Sequence, residues 1–266
     1  MHDFRAALAG VGVYVSEGLR RLQYVAAVAV GVVMLAFRPR TWRRTVRAAL
    51  ARQIVLTGVQ ATPFTTAVAL LVGISIVVQA QLWVRKVGQS QLLGPILVAV
   101  IVRELGPLVV NMIVIGRSGN AIAAELGYMK FNGEVRVLDA QGLDPLVYLV
   151  VPRVVAMTLC VLCLTVLFIA ASLFSGYLFG ILFGAKTGGA RGFLDSVAGS
   201  LQPMDVVNVL TKSLIPGVLS GVICCVEGLG VGNTVTDIPQ AIARSVQQSV
   251  VVLFLTSAAI SVLTYL

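Results

Sequence analysis

The chain has 266 residues, of which 58% are hydrophobic and only 12% charged, and its mean hydropathy is +0.96. Because a soluble domain carries roughly a quarter charged residues, this composition excludes a water-soluble globular protein and indicates an integral membrane protein. The formal net charge of +9 does not indicate nucleic acid binding, because the sequence lacks a basic surface with interleaved aromatic residues.

Residues 1–53 form an arginine-rich N-terminal region with nine of the 20 Lys and Arg residues. Basic residues beside an apolar run are typical of a cytoplasmic membrane flank. The apolar stretch 22–37 is short for a membrane span. If it crossed, the arginines on its two sides would lie on opposite sides of the membrane. The sequence therefore favours a helix in the membrane interface, with an inserted helix as the alternative.

Five further segments have the length and hydropathy of transmembrane helices, which need about 20 mostly apolar residues. They are 54–84, 87–116, 154–183, 206–231 and 245–266. The predicted fold class is all-α: a membrane helical bundle with an N-terminal interfacial helix region (1–53) and a five-span permease domain (54–266).

The distribution of basic residues between the spans predicts the orientation. With the N-terminus inside, the cytoplasmic segments carry fourteen Lys and Arg residues and the outer segments carry four. The positive-inside tendency therefore favours N-in and C-out.

The connection between the second and third spans is the longest polar one, and it is cytoplasmic in this orientation. Its pattern predicts helices over 121–129 and 133–141, then a stop at Gly142 and a turn at Asp144. Such helices could bind a soluble partner. The Gly-rich outer connection, 184–205, predicts short helices and turns.

Charged residues inside the predicted spans are the first candidates for a functional site. Arg103 and Glu104 lie within the second span, where a charge costs roughly 2.5–3.5 kcal/mol on insertion scales. Neighbouring helical residues point in different directions, so each needs a partner elsewhere. Lys212 in the fourth span is one partner available to Glu104. These charges indicate either an interhelical ion pair or a polar spot in a substrate path.

Catalytic and nucleotide-binding motifs are missing from the sequence. The only histidine is His2, and the stretch from Gly180 to Thr187 does not have the spacing of a P-loop. Cys160 and Cys163 form a C-x-x-C pair inside an apolar run, which favours helix packing over a metal or redox site. The sequence predicts a protein without enzyme activity, metal or cofactor of its own.

Several motifs resemble the MlaE family of permeases, also called YrbE. They are RELGPLV at 103–109, GRSG at 116–119, AAELG at 123–127, LDP at 143–145 and LVVPR at 149–153. The resemblance implies the permease of an ATP-binding-cassette transporter that moves phospholipid or a related lipid. It implies two permease copies in the bacterial inner membrane, a cytoplasmic ATPase that binds ATP and Mg, and a periplasmic ring of MCE-domain subunits.

The resemblance also implies roles for individual residues. The substrate-binding set comprises Arg103, Glu104, Leu105, Lys212, Trp83 and Ile76. The ATPase-coupling set, in the coupling region 117–146, comprises Gly119, Glu125, Glu134, Leu138 and Asp144. The sequence departs from the family at Asn132-Gly133-Glu134, where two consecutive acidic residues are expected, and Gly133 is expected to weaken a helix there.

The leading hypothesis is a lipid permease driven by a separate ATPase. One alternative is an ion- or proton-coupled secondary transporter in which Glu104 and Lys212 titrate, but the inverted repeats of such transporters are missing from the sequence. Another is a membrane scaffold without transport activity. No nucleic acid partner is expected.

Overall fold

The computed structural model describes residues 23–87, 93–182, 189–232 and 234–265. Five of its helical segments are long and apolar enough to cross a membrane: Arg44–Val84, Gly94–Phe131, Leu146–Phe179, Pro203–Leu229 and Asp237–Thr264. This confirms the predicted all-α bundle of five spans. The arginines before residue 23 and the outer connection over 183–188 lie outside the described residues.

The N-terminal region contains a short apolar helix, α1 (Gln23–Ala36). One face of this helix, with Val25, Ala29 and Val32, is buried in the main hydrophobic core. Because residues 1–22 lie outside the described residues, the interfacial position of the N-terminal region stays a prediction.

The first predicted span, 54–84, is divided between two helices. Helix α2 (Arg44–Thr57) ends before Gly58, a 3-10 turn follows at Val59–Ala61, and α3 (Thr62–Val87) forms the rest. Pro63 is tolerated in the first turn of α3, where its missing N–H has no partner to bond. The predicted span therefore lies within the span Arg44–Val84, and its continuous α-helix begins at Thr62.

The second span continues well past its predicted end at residue 116. It comprises α4 (Leu93–Leu97), a π-helical segment at Val98–Leu105, α5 (Gly106–Val114), a second π-helical segment at Ile115–Gly119 and α6 (Asn120–Phe131). The second span and the first predicted coupling helix are thus one helical rod.

The rest of the connection to the third span is α7 (Glu134–Ala140). Gly133 and Gly142 flank it with φ of 77° and 73°, a left-handed conformation that glycine adopts without penalty. Gly142 is confirmed as a helix stop. Gly133 lies outside the helix rather than in it, so the expected weakening of a helix at this position is wrong.

The second half of the chain forms a π-helical turn at Leu146–Val150 and then α8 (Val151–Leu182), α9 (Gly189–Ser200), α10 (Pro203–Leu229) and α11 (Asp237–Tyr265). Helix α3 packs along α8, and α10 packs along both α8 and α11. Helix α9 packs against α4.

Two glycines of α10 allow close contact with α8. A Cβ on Gly217 would lie 3.3 Å from the Cα of Thr158, and one on Gly221 would lie 3.3 Å from the Cα of Val154. Small residues at such positions let helix backbones approach in a membrane. These contacts hold α10 against α8 and fix the position of the charged residues of α10.

Candidate functional site

The predicted pair of Glu104 and Lys212 is confirmed. Lys212 Nζ lies 2.7 Å from Glu104 Oε1 and also donates to the backbone carbonyl of Arg103 at 3.0 Å. From α11, the Ser261 hydroxyl donates to the same Glu104 oxygen at 2.9 Å. Three helical segments, distant in sequence, thus meet at one carboxylate.

Arg103 has its own acidic partner, Asp205 at the start of α10. Arg103 Nε lies 2.7 Å from Asp205 Oδ1, and Nη2 donates to Oδ2 at 3.3 Å. Asp205 also accepts from the backbone N–H of Gln202 at 2.9 Å, as the acidic residue of a capping box does. The carboxylate that caps α10 therefore also compensates the charge of Arg103.

Two prolines explain why backbone carbonyls take part in this network. Pro107 has no N–H to donate to the carbonyl of Arg103, four residues earlier. That carbonyl accepts from Lys212 and from Asn208 Nδ2, the latter at 3.1 Å. Pro216 likewise has no N–H to donate to the backbone carbonyl of Lys212. Asn111 Nδ2 donates to that carbonyl instead, at 3.2 Å. The prolines create acceptors that buried polar side chains of the facing helix use.

We call Arg103, Glu104, Asn111, Asp205, Asn208, Lys212 and Ser261 the central network. Its two cations and two carboxylates compensate each other, which lowers the cost of charges within a span. The four charged side chains differ in solvent exposure. Those of Asp205 and Lys212 are 0% and 1% exposed, whereas those of Arg103 and Glu104 are 24% and 47% exposed. The charged side chains of the network that remain accessible are therefore those of Arg103 and Glu104, each of which pairs with a buried residue of α10.

Four residues of the central network were not predicted from the sequence: Asp205, Asn208, Asn111 and Ser261. The predicted fourth span begins at residue 206, which leaves Asp205 in the predicted outer connection. Pro203, followed two residues later by Asp205, is a helix-start signal. Starting the helix at Pro203 would have put Asp205, Asn208 and Lys212 on one face at i, i+3 and i+7. No sequence signal identifies Ser261.

The other predicted substrate-binding residues are more scattered. Leu105 is half-buried and adjoins Glu104 in the π-helical segment. Ile76 packs against a second hydrophobic cluster at the α9 end of the bundle. Trp83 is 67% exposed near the end of α3, with the Lys86 ammonium 5.6 Å from its ring centroid. In the described part of the chain, no hydrogen bond joins Trp83 to the central network.

The predicted coupling residues lie in different environments. Glu125, on α6, pairs with Arg153 Nη2 at 2.9 Å, and Arg153 Nη1 donates to the carbonyl of Leu149 at 2.8 Å. Gly119 is buried, and a Cβ there would lie 2.9 Å from Cys224 Sγ. Both residues thus join the second span to other helices of this chain.

Glu134, Leu138 and Asp144 lie in or beside α7. Glu134 is exposed in the first turn, and Leu138 is half-buried against the main core. Asp144 Oδ1 accepts from the backbone N–H of Leu146 at 2.9 Å, which caps the following helical turn. No residue of α7 is fully buried, so α7 offers the more accessible surface of the coupling region.

Known relatives are similar to most of this chain. Protein TRIGALACTOSYLDIACYLGLYCEROL 1, chloroplastic, of Arabidopsis thaliana is 28% identical over 225 residues, which cover 83% of this chain and 61% of that protein. A probable ABC transporter permease protein of Rickettsia prowazekii is 27% identical over 77% of this chain and 79% of its own length.

A relative from Haemophilus influenzae, the intermembrane phospholipid transport system permease protein MlaE, is 29% identical over 198 residues, covering 74% of this chain and 75% of that protein. The family described as Permease MlaE matches residues 50–263, which include the central network and all five spans except the two ends at 44–49 and 264. The chain therefore belongs to the MlaE family of ABC transporter permeases.

Proposed function

We propose that this permease moves a phospholipid or a related lipid, and that the central network contacts the lipid headgroup. The observation that carries the proposal is the partial exposure of two charged side chains, Glu104 and Arg103, well inside the second span. Exposed charges at such a position are expensive when they face acyl chains. A polar cavity that receives a charged headgroup removes that cost.

The chemistry of the exposed pair fits an amphipathic cargo. A guanidinium binds phosphate through charge-assisted, often bidentate hydrogen bonds, and a carboxylate complements an ammonium group. Trp83, exposed on α3, and Ile76 and Leu105, half-buried, supply apolar surface for acyl chains. The name of the Haemophilus influenzae relative, a phospholipid transport permease, supports lipid as the cargo.

The proposed assembly contains two copies of this chain, a cytoplasmic ATPase and a periplasmic MCE-domain protein. ATP and Mg bind to the ATPase, which contacts α7 and its flanks through Glu134, Leu138 and Asp144. When the ATPase moves α7, Glu125 and Gly119 transmit that movement to the transmembrane helices. Movement can be driven only if ATPase contacts differ between two states of the permease.

We place the permease in the bacterial inner membrane with its N-terminus in the cytoplasm. The excess of Lys and Arg in residues 1–53 and around the coupling region supports this orientation. In it, α6 and α7 face the ATPase, and α9 faces the MCE-domain ring.

Lipid transfer in a reconstituted complex tests the proposal. The permease, its ATPase and its MCE-domain protein are placed in vesicles, and transfer of a fluorescent phospholipid is followed with and without ATP. Glu104→Gln and Arg103→Gln are expected to reduce ATP-dependent transfer by at least about tenfold while the subunits still co-purify. Asp237→Asn, in the first turn of α11 and outside both the central network and α7, is the control for a lost carboxylate.

Other outcomes support the alternatives. Flux that continues without the ATPase and follows a proton gradient would replace the proposal with an ion-coupled transporter. Normal transfer per assembled complex in both variants would mean that the central network serves assembly only.

A further inference from the structure

A second candidate site lies on the second span, thirteen residues beyond Glu104 and therefore roughly 20 Å along the helix axis. It consists of two adjoining cavities that share Gln60 and Arg117 in their linings. The larger has a volume of about 540 Å³ and is lined by Gln60, Phe64, Met112, Ile113, Gly116 and Arg117. The smaller, about 130 Å³, includes Ser118 and Glu125.

The two cavities differ in polarity. Phe64, Met112 and Ile113 give the larger one an apolar wall. Gln53, Thr57 and Ser118 give the smaller one polar groups, although Gln53 already donates to Thr57 Oγ1 at 3.4 Å. The pair of cavities therefore runs from apolar to polar, as an amphipathic ligand does.

Arg117 lies at the boundary between these cavities. Its Nη1 donates to the backbone carbonyl of Gln60, and its side chain is exposed. Glu125 also lines the smaller cavity, but its charge is compensated by Arg153. In the described part of the chain, no salt bridge joins Arg117 to a carboxylate, so its charge is available to an anion.

Ser118 provides an independent indication of a polar ligand. The residue is 5% exposed, and its hydroxyl has no hydrogen-bond partner among the described residues. A buried hydroxyl without a partner loses its hydrogen bonds to water and gains none in return, which is unfavourable. A ligand oxygen in the smaller cavity would supply that partner.

Gly116 keeps the larger cavity open. A Cβ at this position would meet nothing within 4 Å, so the space above the glycine is empty and a larger side chain there would fill the cavity. The backbone at Gly116 does not have positive φ, so a side chain causes no backbone strain.

From these features we propose that the two cavities bind the phosphate headgroup of a membrane lipid. Arg117 and Ser118 hold the phosphate, and Phe64, Met112 and Ile113 contact the acyl chains. A single uncompensated cation above an apolar wall favours a lipid over a free anion, because a free anion would leave the apolar surface uncovered. The site goes beyond the proposed function, since it is separate from the central network.

Photocrosslinking of the full chain tests this site. The chain is purified into phosphatidylcholine nanodiscs with a phosphatidylglycerol that carries a diazirine on one acyl chain, and labelled peptides are identified by mass spectrometry. A diacylglycerol with the same diazirine is the probe without phosphate. Labelling of peptides with Phe64 and Met112 is expected to be stronger for the phosphate-bearing probe.

Variants connect the labelling to individual groups. Arg117→Gln should lower labelling by phosphatidylglycerol about tenfold, to the diacylglycerol level, whereas Arg117→Lys keeps most of it. Ser118→Ala should lower it several-fold. Gly116→Leu should abolish labelling by both probes. The matched controls are Arg136→Gln on α7 and Gly199→Leu on α9, where a Cβ also meets nothing within 4 Å.

Three results would overturn the site. Unchanged labelling in Arg117→Gln and Gly116→Leu would mean that lipid does not bind here. Loss of labelling in excess inorganic phosphate would mean that the cavities bind a free anion. Rapid disulfide formation between two copies through Met112→Cys, in a Cys163→Ser background, would mean that a second copy covers this face. None of these results affects the transfer assay at Glu104.

Discussion

Two ion pairs of the second span, Glu104–Lys212 and Glu125–Arg153, have similar local chemistry and different surroundings. In each, a carboxylate that is nearly half exposed, 47% and 46%, faces a cation that is 1% and 10% exposed. Each cation also donates to a backbone carbonyl. The carbonyl bound by Arg153 belongs to its own helix, whereas the one bound by Lys212 belongs to the facing helix.

We expect the residues around each ion pair to determine how much the pair contributes to stability and function. Glu104–Lys212 belongs to the central network, in which polar groups of the second span, α10 and α11 depend on one another. Polar groups in such a network can contribute more together than separately. Glu125–Arg153 joins α6 to α8 through one salt bridge. We expect the first pair to control cargo binding and bundle stability and the second to adjust the position of α6.

Asp205→Asn should have the largest effect. Asp205 is fully buried and pairs with Arg103, so the change leaves an uncompensated guanidinium within the bundle. Breaking a buried pair in this way costs about 3–5 kcal/mol in the free energy of unfolding. Thermal unfolding of the purified chain in detergent measures it. Asp195→Asn, exposed on α9, is the control and should change little.

Glu104→Gln should have a smaller effect on stability. Lys212 loses its carboxylate but keeps the carbonyl of Arg103, and Glu104 is half exposed. We expect a cost of about 1.5–3 kcal/mol, measured by the same unfolding assay. Equal losses in Glu104→Gln and Glu125→Gln would contradict the difference between the two pairs.

Ser261→Ala removes the α11 hydroxyl, which lies 2.9 Å from Glu104 Oε1 and 3.0 Å from the carbonyl oxygen of Ser257 on its own helix. The expected cost is about 1 kcal/mol, with a smaller reduction of lipid transfer than in Glu104→Gln. Thr256→Val is the matched control, because the Thr256 hydroxyl donates only to carbonyls of its own helix. A loss of stability no greater than that of the control would mean that α11 does not support the central network.

The Glu125–Arg153 pair should have the smallest effect on the free energy of unfolding. A double-mutant cycle with Glu125→Gln and Arg153→Gln measures the interaction free energy of the two side chains. Because Glu125 is half exposed, we expect about 0.2–1 kcal/mol. A coupling energy as large as that between Glu104 and Lys212 would show that the surrounding network does not determine the strength of a pair.

The sequence by itself determined the fold class, the number of spans and three of the four charged residues of the central network. Lipid requires about 20 apolar residues for each helical span, so five long apolar runs were sufficient to predict five spans. Charges are rare inside such runs, so Arg103, Glu104 and Lys212 stood out. Gly142 was recognised as a helix stop because few other residues adopt its backbone conformation.

Only the tertiary structure decided which groups meet. Asp205 and Ser261 lie 102 and 157 residues from their partners Arg103 and Glu104, and no local pattern encodes those contacts. The same holds for the carbonyls freed by Pro107 and Pro216, whose partners come from the facing helix. A periodic apolar pattern identifies the face of a helix that packs, but the depth and rotation of each helix depend on close contacts such as those of Gly217 and Gly221 with α8.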